Sequence, residues 1–325
     1  MNIAIFTGGD SSESVISVKS AEQVSQWLKK AGHKCYTVVV TGADWAVHTE
    51  NGEIQLDKNI FGFKGPEGDL IFDFAWNMIH GTPGEDGKLQ GYFDMIGIPY
   101  SGSNHLSSAL TFNKYTCKIF LKQLGVLTPE ASLIRKNIDT DLEAIAEHVG
   151  FPCFVKPNSG GSSFGIAKVV RFEELQPAVE EAMREDREVI IERYIKGREI
   201  TCGVFKTDGE FTILPVTEII PKNEFFDYEA KYTAGKAEEI TPAQIPDALS
   251  QKCRELACQI YDLTDSAGII RVDFIIKGNQ LYFLELNSIP GMSRESIIPK
   301  QVESAGLTME QVLQMIIDDR LKTGI

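Results

Sequence analysis

The densest group of residues able to bind a metal lies in the segment 271–287. Asp273 lies six residues before Asn279, and Glu285 lies six residues after it. A hairpin that turns near Asn279 would place the two carboxylates nearly opposite each other, to within one register step. Glu285 and Asn287 are two residues apart, so their side chains would share one face of the sheet. Two carboxylates and an amide oxygen on otherwise apolar strands suit Mg²⁺, whereas a polar face exposed to solvent is the alternative.

A loop rich in glycine and serine follows a predicted strand that ends at Lys156. The loop contains Gly160, Gly161, Ser162 and Ser163. Glycines let backbone N–H groups approach phosphate oxygens, hydroxyl groups add hydrogen-bond donors, and the lysine adds a positive charge. The spacing is not that of a Walker loop, so a phosphate-binding loop and a flexible turn are both compatible with it.

Three more carboxylates follow predicted strands or turns. Glu192 comes directly after an apolar strand, and a short linker separates it from Glu199. Glu13 follows a glycine turn and would fall in the first turn of a helix that Ser11 or Ser12 caps. Each of these acids could simply be solvated at the end of an element. The functional interpretation places Glu13 beside the ammonium group of a ligand, at the carboxyl edge of a sheet.

Three other segments carry groups that could contact a ligand. The aromatic and charged segment 225–232 lies between turn-rich stretches, which is typical of a lid or an interface loop. In the segment 288–296, Gly291 is free to direct its N–H group and Ser296 can donate a hydrogen bond. His80 opens the turn HGTPGEDG, whereas the other four histidines have no evident partners in the sequence.

The apolar pattern predicts an alternation of strands and helices along the chain. The predicted strands or strand-like runs are 2–6, 35–40, 70–78, 97–103, 199–205, 211–219, 269–276 and 280–286. The predicted helices are 15–28, 89–96, 114–124, 142–149, 247–263 and 308–321. The early strand–helix–strand order indicates a parallel α/β sheet, and the segment 131–192 indicates a second, smaller α+β unit. No internal repeat or long linker is evident, so we expect the units to pack together.

Composition narrows the class of protein. The 325 residues are enough for two or three packed units, and 43% hydrophobic with 24% charged residues is ordinary for a globular protein. The net charge of −14 argues against non-specific nucleic-acid binding. The six cysteines form no CxxC pair, and no apolar run is long enough to cross a bilayer. Because the chain opens on a strand rather than a signal peptide, we expect a cytoplasmic protein with reduced thiols.

Several of these segments together resemble one family. The chain contains, in the order typical of D-alanine–D-alanine ligases, the runs IHGTPGEDGKLQGYFDMIGIPYSGS, FVKPNSGGSSFGI, FDYEAKY, RVDF and LELNSIPGMSRES. The resemblance extends from Gly8 to about Pro299. It implies an α/β fold of three-domain ATP-grasp architecture, with ATP held between the second and third domains. The domains would be an N-terminal parallel-sheet (Rossmann-like) substrate-binding domain at 1–102, a small central ATP-grasp domain at 103–190 and a C-terminal ATP-grasp domain at 191–325.

The same resemblance implies a role for each matching residue. Those implied in catalysis are Glu13, His80, Ser162, Tyr232, Arg271 and Gly291. Those implied in ATP binding are Lys114, Lys156, Ser162, Ser163, Glu192, Arg193, Tyr194, Ile195, Glu199 and Lys231. Those implied in holding two Mg²⁺ (or Mn²⁺) ions are Asp273, Glu285 and Asn287. Those implied in binding the amino acids are Glu13, Glu85 and Ser296.

The sequence departs from the family pattern at three places. The two residues after Glu13 (14–15) are serine and valine, where the family often has a charged residue and then an acid. Asn113 precedes Lys114 in place of a common acid, and the run 158–160 is less charged than in many members. The resemblance therefore does not predict which residues contact Glu13 and Lys114.

The implied reaction is the ATP-dependent ligation of two D-alanines through a D-alanyl phosphate, for peptidoglycan precursors of the cell wall. The implied partners are D-alanine, ATP and a second copy of the chain in a homodimer, with no nucleic acid and no membrane. A D-alanine–D-lactate ligase or another ATP-grasp carboxylate–amine ligase is the alternative within this class, and Tyr232 favours the dipeptide. A nucleotide-binding regulator without turnover is the alternative from another class, which the complete set of metal-binding and phosphate-binding residues disfavours.

Overall fold

The structure, a computed structural model, describes residues 1–11, 13–50, 52–65, 68–161, 165–221 and 237–323. Over these residues three sheets of four or more strands follow one another along the chain, with helices packed on their faces. The strands are β1 (Asn2–Gly8), β2 (Lys34–Thr41), β3 (Asp44–Thr49), β4 (Gly52–Gln55), β5 (Gly62–Gly65), β6 (Gly68–Ile71), β7 (Phe74–Asn77), β8 (Ala131–Arg135), β9 (Cys153–Pro157), β10 (Ala167–Val169), β11 (Glu188–Arg193), β12 (Arg198–Thr207), β13 (Glu210–Ile213), β14 (Thr217–Pro221), β15 (Ala237–Ile240), β16 (Ile270–Lys277) and β17 (Gln280–Asn287). The helices are α1 (Ser14–Lys30), α2 (Lys88–Ile96), α3 (His105–Phe112), α4 (Lys114–Gln123), α5 (Leu142–Val149), α6 (Leu175–Ala182), α7 (Asp247–Leu263), α8 (Ile297–Ser304) and α9 (Met309–Thr323).

The first sheet runs in the order β4-β3-β2-β1-β7. β1 pairs in parallel with both β2 and β7, whereas β3 and β4 add an antiparallel edge. Residues 3–6 of β1 are apolar and fully buried, as expected for a central strand that is covered on both faces. Since α1 follows the carboxyl end of β1, the turn between them lies at the edge where α/β sheets bind ligands.

Elements from both ends of the chain cover one face of the first sheet. α1 contributes Ala21, Val24 and Leu28 to a core that also includes Val312 and Ile316 of α9. The other face is covered by α2 and by a group of aromatic rings, which are Phe6, Trp45, Phe61, Phe72, Phe93 and Tyr100. The units therefore pack together, as we expect from the lack of long linkers.

The second and third sheets are antiparallel. The second runs β10-β9-β11-β8 and shares one core with α5 and α6. The third runs β15-β14-β12-β16-β17, with β13 also paired to β12. On one face of the third sheet, Cys253 and Ile260 of α7 pack with Val272, Phe274 and other residues of the strands. The alternate residues of β16 and β17 consequently face away from α7.

The structure confirms most predicted elements, with ends that differ by at most two residues. The run 70–78 is instead two strands, because β6 pairs with β5 outside the sheet that contains β7. The run 211–219 is also two strands, and Pro215, which lacks a backbone donor, separates them. The predicted strand at 97–103 is wrong, since only Tyr100 forms an isolated bridge, with Ala75.

Two helices near the site carry no sequence prediction. α3 and α8 have eight residues each, and neither shows the regular apolar spacing that made the equally short α5 predictable. Their N-caps are Asn104 and Ser296, which directly precede the first helical residues. Of the helices within the described residues, none is both long enough and apolar enough to cross a membrane.

Replacing Gln301 by Met is expected to destabilise the protein by roughly 2 kcal/mol. Gln301 is fully buried on α8, accepts a hydrogen bond from Gly203 N–H at 3.1 Å, and donates to Thr201 O at 3.1 Å and Thr217 Oγ1 at 3.0 Å. Methionine has a similar shape but leaves these polar groups without the amide. Calorimetric melting would show a lower Tm, whereas the exposed Gln176→Met control should melt like wild type. Equal Tm values for the two variants would contradict the prediction.

Candidate active site

The β16–β17 hairpin gathers its polar residues on the face turned away from α7. Asp273 pairs with Glu285 across the two strands, which confirms the register expected from their spacing. Arg271 pairs with Asn287 one step further along the same face. Between these pairs and the hairpin end the register shifts, so that Leu284 is the extra residue of a β-bulge. The sheet therefore brings two carboxylates, an amide and a guanidinium group together.

Asp273 accepts hydrogen bonds from three other residues. Its side chain is 6% exposed and accepts hydrogen bonds from Arg271 Nε and Nη2, both at 2.9 Å. Asn287 Nδ2 donates to Oδ2 at 3.0 Å, and the Thr201 hydroxyl donates to Oδ1. These donors compensate the buried carboxylate and fix its orientation.

Lys114 connects the hairpin to the glycine-rich loop. Its side chain is 8% exposed, and its Nζ lies 4.0 Å from Glu285 Oε2. The same Nζ donates a hydrogen bond to the carbonyl oxygen of Gly160. Burial lowers the pKa of Lys114, and the attraction of Glu285 opposes that change. The Lys114 side chain therefore lies between the loop and the carboxylates, where its protonated form would stabilise an anionic ligand.

Lys156 and Lys118 lie on either side of the buried carboxylate of Glu192. Lys156 Nζ contacts Glu192 Oε2, and Lys118 Nζ lies 2.8 Å from Oε1. Burial favours the neutral form of Glu192, but the two lysines outweigh it and hold its pKa below the ordinary value. Burial likewise opposes the charge of Lys156, yet Glu192, Glu285 and Glu199 outweigh burial and raise its pKa. Lys156 is consequently a firmly charged group at the start of the loop.

Glu13 is the N-cap of α1, which begins at Ser14. The prediction that Ser11 caps this helix is wrong, because its hydroxyl accepts a hydrogen bond from Glu13 N–H at 3.3 Å instead. Glu13 is 5% exposed, and the glycine-rich loop approaches it so closely that a Cβ on Gly161 would lie 2.7 Å from Oε1. A larger residue at position 161 would therefore require the Glu13 side chain to move. Four residues of the predicted site lie outside the described residues, namely Ser162, Ser163, Lys231 and Tyr232. Ser12, the other predicted cap of α1, also lies outside them.

The turn that His80 opens forms a wall beside Glu13. His80 is 7% exposed, and its backbone N–H group donates a hydrogen bond to Ser17 Oγ at 2.9 Å. Glu85 is 9% exposed and accepts a hydrogen bond from Gly81 N–H at 2.8 Å. Among the described residues, none forms a hydrogen bond with His80 Nε2, although this atom is buried. The imidazole edge is therefore available to a ligand or to a residue beyond the described part.

The pKa values of the two ionisable groups in this wall are shifted in opposite directions. Burial raises the pKa of Glu85 to about 8, and the nearby charge of Glu13 adds to the rise. Burial lowers the pKa of His80 to about 4, and the positive charge of Arg271 adds to the fall. Near neutral pH the wall therefore presents a neutral imidazole and a largely protonated carboxyl group.

Replacing His80 by Gln is expected to make stability less dependent on pH between about 4 and 6.5. In this window the unfolded imidazole binds a proton that the buried one does not, so the wild-type protein loses stability as pH falls. Melting temperatures of the ligand-free protein near neutral pH and near pH 5 would measure the loss. The exposed His148→Gln control should lose as much as wild type. An equally steep loss in the His80 variant would assign the pH dependence to other groups.

The chain after β17 packs against α1. Ser296 Oγ accepts a hydrogen bond from Ser293 N–H at 3.1 Å. A Cβ on Gly291 would lie 3.0 Å from the same oxygen, so Gly291 and Ser296 are adjacent. Met292 N–H donates to Ser20 Oγ at 3.2 Å and connects this segment to α1. The predicted residues Gly291 and Ser296 are thus held close to the helix that Glu13 begins.

The residues that follow Glu192 are anchored to the second sheet. Arg193 Nε donates to the carbonyl oxygen of Val149 at 2.6 Å. The ring of Tyr194 packs edge-on against Phe154, with 5.7 Å between ring centroids, and Ile195 is buried. This anchoring gives the segment a rigid backbone and an aromatic surface, which suit a flat ring system.

Comparison with known proteins places the whole chain in one group. The family models described as D-ala D-ala ligase N-terminus and C-terminus match residues 2–103 and 120–318. The chain is 46% identical over 320 residues to the D-alanine--D-alanine ligase of Phocaeicola vulgatus, with 98% of each chain covered. It is 48% identical over 324 residues to that of Parabacteroides distasonis, covering 99% of this chain and 98% of the relative. The chain belongs to the D-alanine–D-alanine ligase family.

Solved structures of this family and of a related ligase have the same fold. The ligase from Bacillus anthracis complexed with ATP is 31% identical with a TM-score of 0.79, covering 99% of this chain and 98% of that one. The VanG D-Ala:D-Ser ligase from Enterococcus faecalis is 30% identical with a TM-score of 0.87, covering 98% of this chain and 99% of that one. The three-domain ATP-grasp fold of the D-alanine–D-alanine ligases is therefore the fold of this protein, whereas the exact domain boundaries stay a prediction.

The donor set of the hairpin fits the metal expected for a D-alanine–D-alanine ligase. Within the described residues, no three His, Cys, Asp or Glu side chains are grouped as a metal cage. Asp273, Glu285 and Asn287 offer two carboxylates and an amide, and all three contribute oxygen atoms. Such an incomplete oxygen set suits Mg²⁺, which takes its other ligands from phosphates and water. The residues present thus fit the ion.

Two departures from the D-alanine–D-alanine ligase pattern have a structural explanation. Asn113 is the N-cap of α4, and its side chain accepts a hydrogen bond from Thr116 N–H at 2.9 Å. An acid at this position would cap the helix in the same way. Asn158 is fully buried and accepts from Tyr115 N–H at 2.9 Å, which fixes the loop to the start of α4. Both asparagines position Lys114.

Sequence reasoning missed two residues that support this site, Lys118 and Thr201. Lys118 lies one helical turn after Lys114, so the i,i+4 spacing was a signal that both lysines share a face. Thr201 pairs with Asp273 across β12 and β16, but strand pairing of this kind is not encoded locally. Only the structure brings the threonine to the carboxylate.

Proposed function

We propose that the protein joins two D-alanines into D-alanyl-D-alanine and converts ATP to ADP and phosphate. The observation that carries the proposal is the meeting of three groups at one place. Lys114 lies 4.0 Å from Glu285 of the polar hairpin and also contacts the glycine-rich loop, whose Gly161 abuts Glu13. A phosphate-binding group, a metal-binding hairpin and an acid for an ammonium group are thus adjacent. Relatives that are 46% and 48% identical over nearly the whole chain carry the same activity in their names.

ATP would bind between the second and third sheets. Lys114 and Lys156 would neutralise its phosphates, and the raised pKa of Lys156 suits this role. The segment 192–195 would surround the adenine, and Glu199 would bind the ribose. The phosphate site would be completed by Ser162 and Ser163 of the glycine-rich loop and by Lys231 of the segment 225–232.

Asp273, Glu285 and Asn287 would hold two Mg²⁺ (or Mn²⁺) ions. When bound, the ions neutralise the charge that moves between phosphate oxygens during phosphoryl transfer. The contribution of the protein is orientation, since Thr201 and Arg271 hold Asp273 in one position.

Ligation would proceed in two steps. The carboxylate of the first D-alanine attacks the γ-phosphorus of ATP, which gives D-alanyl phosphate and ADP. The amine of the second D-alanine then attacks the acyl carbon, and phosphate leaves. Arg271 and the Gly291 N–H group would stabilise the oxyanion that forms in this step.

The amino acids need separate contacts to be placed for these steps. Glu13 would hold the ammonium group of the first D-alanine, and Ser296 would hold the carboxylate of the second. His80 and Glu85 would line the wall beside the reacting carboxyl group. A neutral His80 would avoid repelling the ammonium group of the first D-alanine, and a largely protonated Glu85 would avoid repelling its carboxylate. The loops that carry Ser162 and Tyr232 would close over the acyl phosphate and keep water away.

The cellular role follows from the product. D-Alanyl-D-alanine serves as a peptidoglycan precursor, so we assign the protein to cell-wall synthesis and to the cytoplasm, where ATP is available. A homodimer is part of the same proposal, and sedimentation analysis would test it.

ADP release with a panel of amino acids tests the proposal. We expect release with D-alanine and Mg²⁺, formation of the dipeptide by mass spectrometry, and no release with L-alanine. D-Lactate and D-serine should be offered together with D-alanine, because the VanG D-Ala:D-Ser ligase has the same fold. A product that is mainly the ester or the serine dipeptide near neutral pH would refute the assignment. Nucleotide binding without ADP release would instead support a regulator.

A further inference from the structure

Lys118 lies at the junction of three elements that carry the candidate site. It is on α4, its side chain is 2% exposed, and its Nζ lies 2.8 Å from Glu192 Oε1 on β11. The same Nζ donates a hydrogen bond to the carbonyl oxygen of Leu284 on β17 and lies 5.3 Å from the ring centroid of Phe283. One ammonium group thus connects the second sheet, the third sheet and the helix that starts at Lys114.

The first contact of Lys118 acts on the phosphate-binding lysine. Glu192 is shared between Lys118 and Lys156, which contact its two carboxylate oxygens. Removing Lys118 would leave one lysine to compensate a buried carboxylate. Glu192 would then hold Lys156 more tightly, and less of the charge of Lys156 would be available to a phosphate.

The second contact of Lys118 acts on the metal-binding hairpin. Because Asp273 pairs with Glu285 while Phe274 pairs with Phe283, Leu284 has no partner residue on β16. A bulge leaves its extra residue outside the ladder and redirects the side chain that follows. The Lys118 ammonium group binds the carbonyl oxygen of that extra residue and thereby sets the orientation of Glu285.

We propose that Lys118 is a positioning residue that couples the phosphate-binding lysine Lys156 to the metal-binding residue Glu285, without touching ATP itself. The proposal rests on the proposed function for the identity of the nucleotide and the ion. It explains why Lys118, which would not contact a substrate, is buried beside Lys156, which would contact the phosphates.

Calorimetric titration with a non-hydrolysable ATP analogue tests this role independently of the ligation reaction. Lys118→Met should weaken binding about tenfold without metal, through Lys156, and should reduce the gain in affinity on adding Mg²⁺, through Glu285. The control is Lys122→Met, one turn further along α4, because Lys122 pairs with Glu130 at the surface and is 45% exposed. The control should bind as wild type does, and the KM for D-alanine should stay within about twofold in both variants.

If Lys118→Met alone does not fold, the double variant Lys118→Met with Glu192→Gln is tested in its place, because it also removes the charge of the uncompensated carboxylate. It should melt close to wild type and still show the reduced Mg²⁺ effect, since Leu284 remains without the ammonium group. A normal Mg²⁺ effect in a folded Lys118 variant, or binding equal to that of Lys122→Met, would overturn the proposal. Normal nucleotide binding without ligation of D-alanine in the wild-type protein would refute the proposed function while leaving the role of Lys118 intact.

Discussion

Replacing Glu285 by Gln is expected to lower kcat for D-alanine ligation by roughly a thousandfold while leaving the fold intact. The substitution keeps the size of the side chain but removes the charge that would bind a metal ion. Glu285 is also the acid that faces Lys114 at 4.0 Å, so its loss alters both the metal and the phosphate surroundings. Steady-state ADP release at saturating ATP and D-alanine measures the effect.

The matched control for this variant is Glu210→Gln. Glu210 lies exposed on β13 of the same sheet, so the change in net charge is the same but the location is remote from the site. We expect the control to keep wild-type activity, and both variants to melt within a few degrees of wild type. A Glu285→Gln enzyme with near-normal turnover would remove the metal assignment from the hairpin.

Arg271→Ala is expected to reduce kcat/KM by about 10²- to 10³-fold, the usual effect of losing one oxyanion donor. Arg271 donates two hydrogen bonds to Asp273, so the variant also loosens the carboxylate that would hold the metal. The two effects differ in their dependence on Mg²⁺. A loss that excess Mg²⁺ partly restores indicates the contact with Asp273, and a loss that persists indicates the oxyanion.

Arg135→Ala is the control for a missing guanidinium group. Arg135 lies on β8 and pairs with Glu188 at 2.7 Å, with its side chain 58% exposed. Its removal should change activity by less than about twofold, because an exposed ion pair contributes little. An Arg271→Ala enzyme as active as this control would exclude Arg271 from both roles.

The sequence predicts the hairpin well because its information is local. A tight turn at 278–279 and the two-residue period of a strand bring Asp273 to within one register step of Glu285, and the bulge at Leu284 provides the remaining step. The same reasoning identifies α7 and α5 to the residue, since both have a regular apolar period and clear ends.

Long-range contacts explain what the sequence does not predict. In the sequence, Lys118 is one of several lysines on a predicted helix, and only tertiary packing brings Glu192 and Leu284 to it from distant strands. Gln301 likewise belongs to a short helix without a distinctive pattern, although its amide completes the hydrogen bonding of β12. The proximity of Gly161 to Glu13 depends on how the first two sheets approach each other, which no local rule specifies.

The packing of α9 against α1 and β1 has a consequence for biosynthesis. The core beneath β1 contains residues from the first thirty positions and from the last twenty, including Ile3, Val24 and Ile316. During translation the first sheet therefore emerges from the ribosome with this apolar face covered by α1 but not yet by α9. That face is fully covered only once residues 309–323 are available to pack on it, so the amino-terminal unit cannot complete its core before α9 has been made.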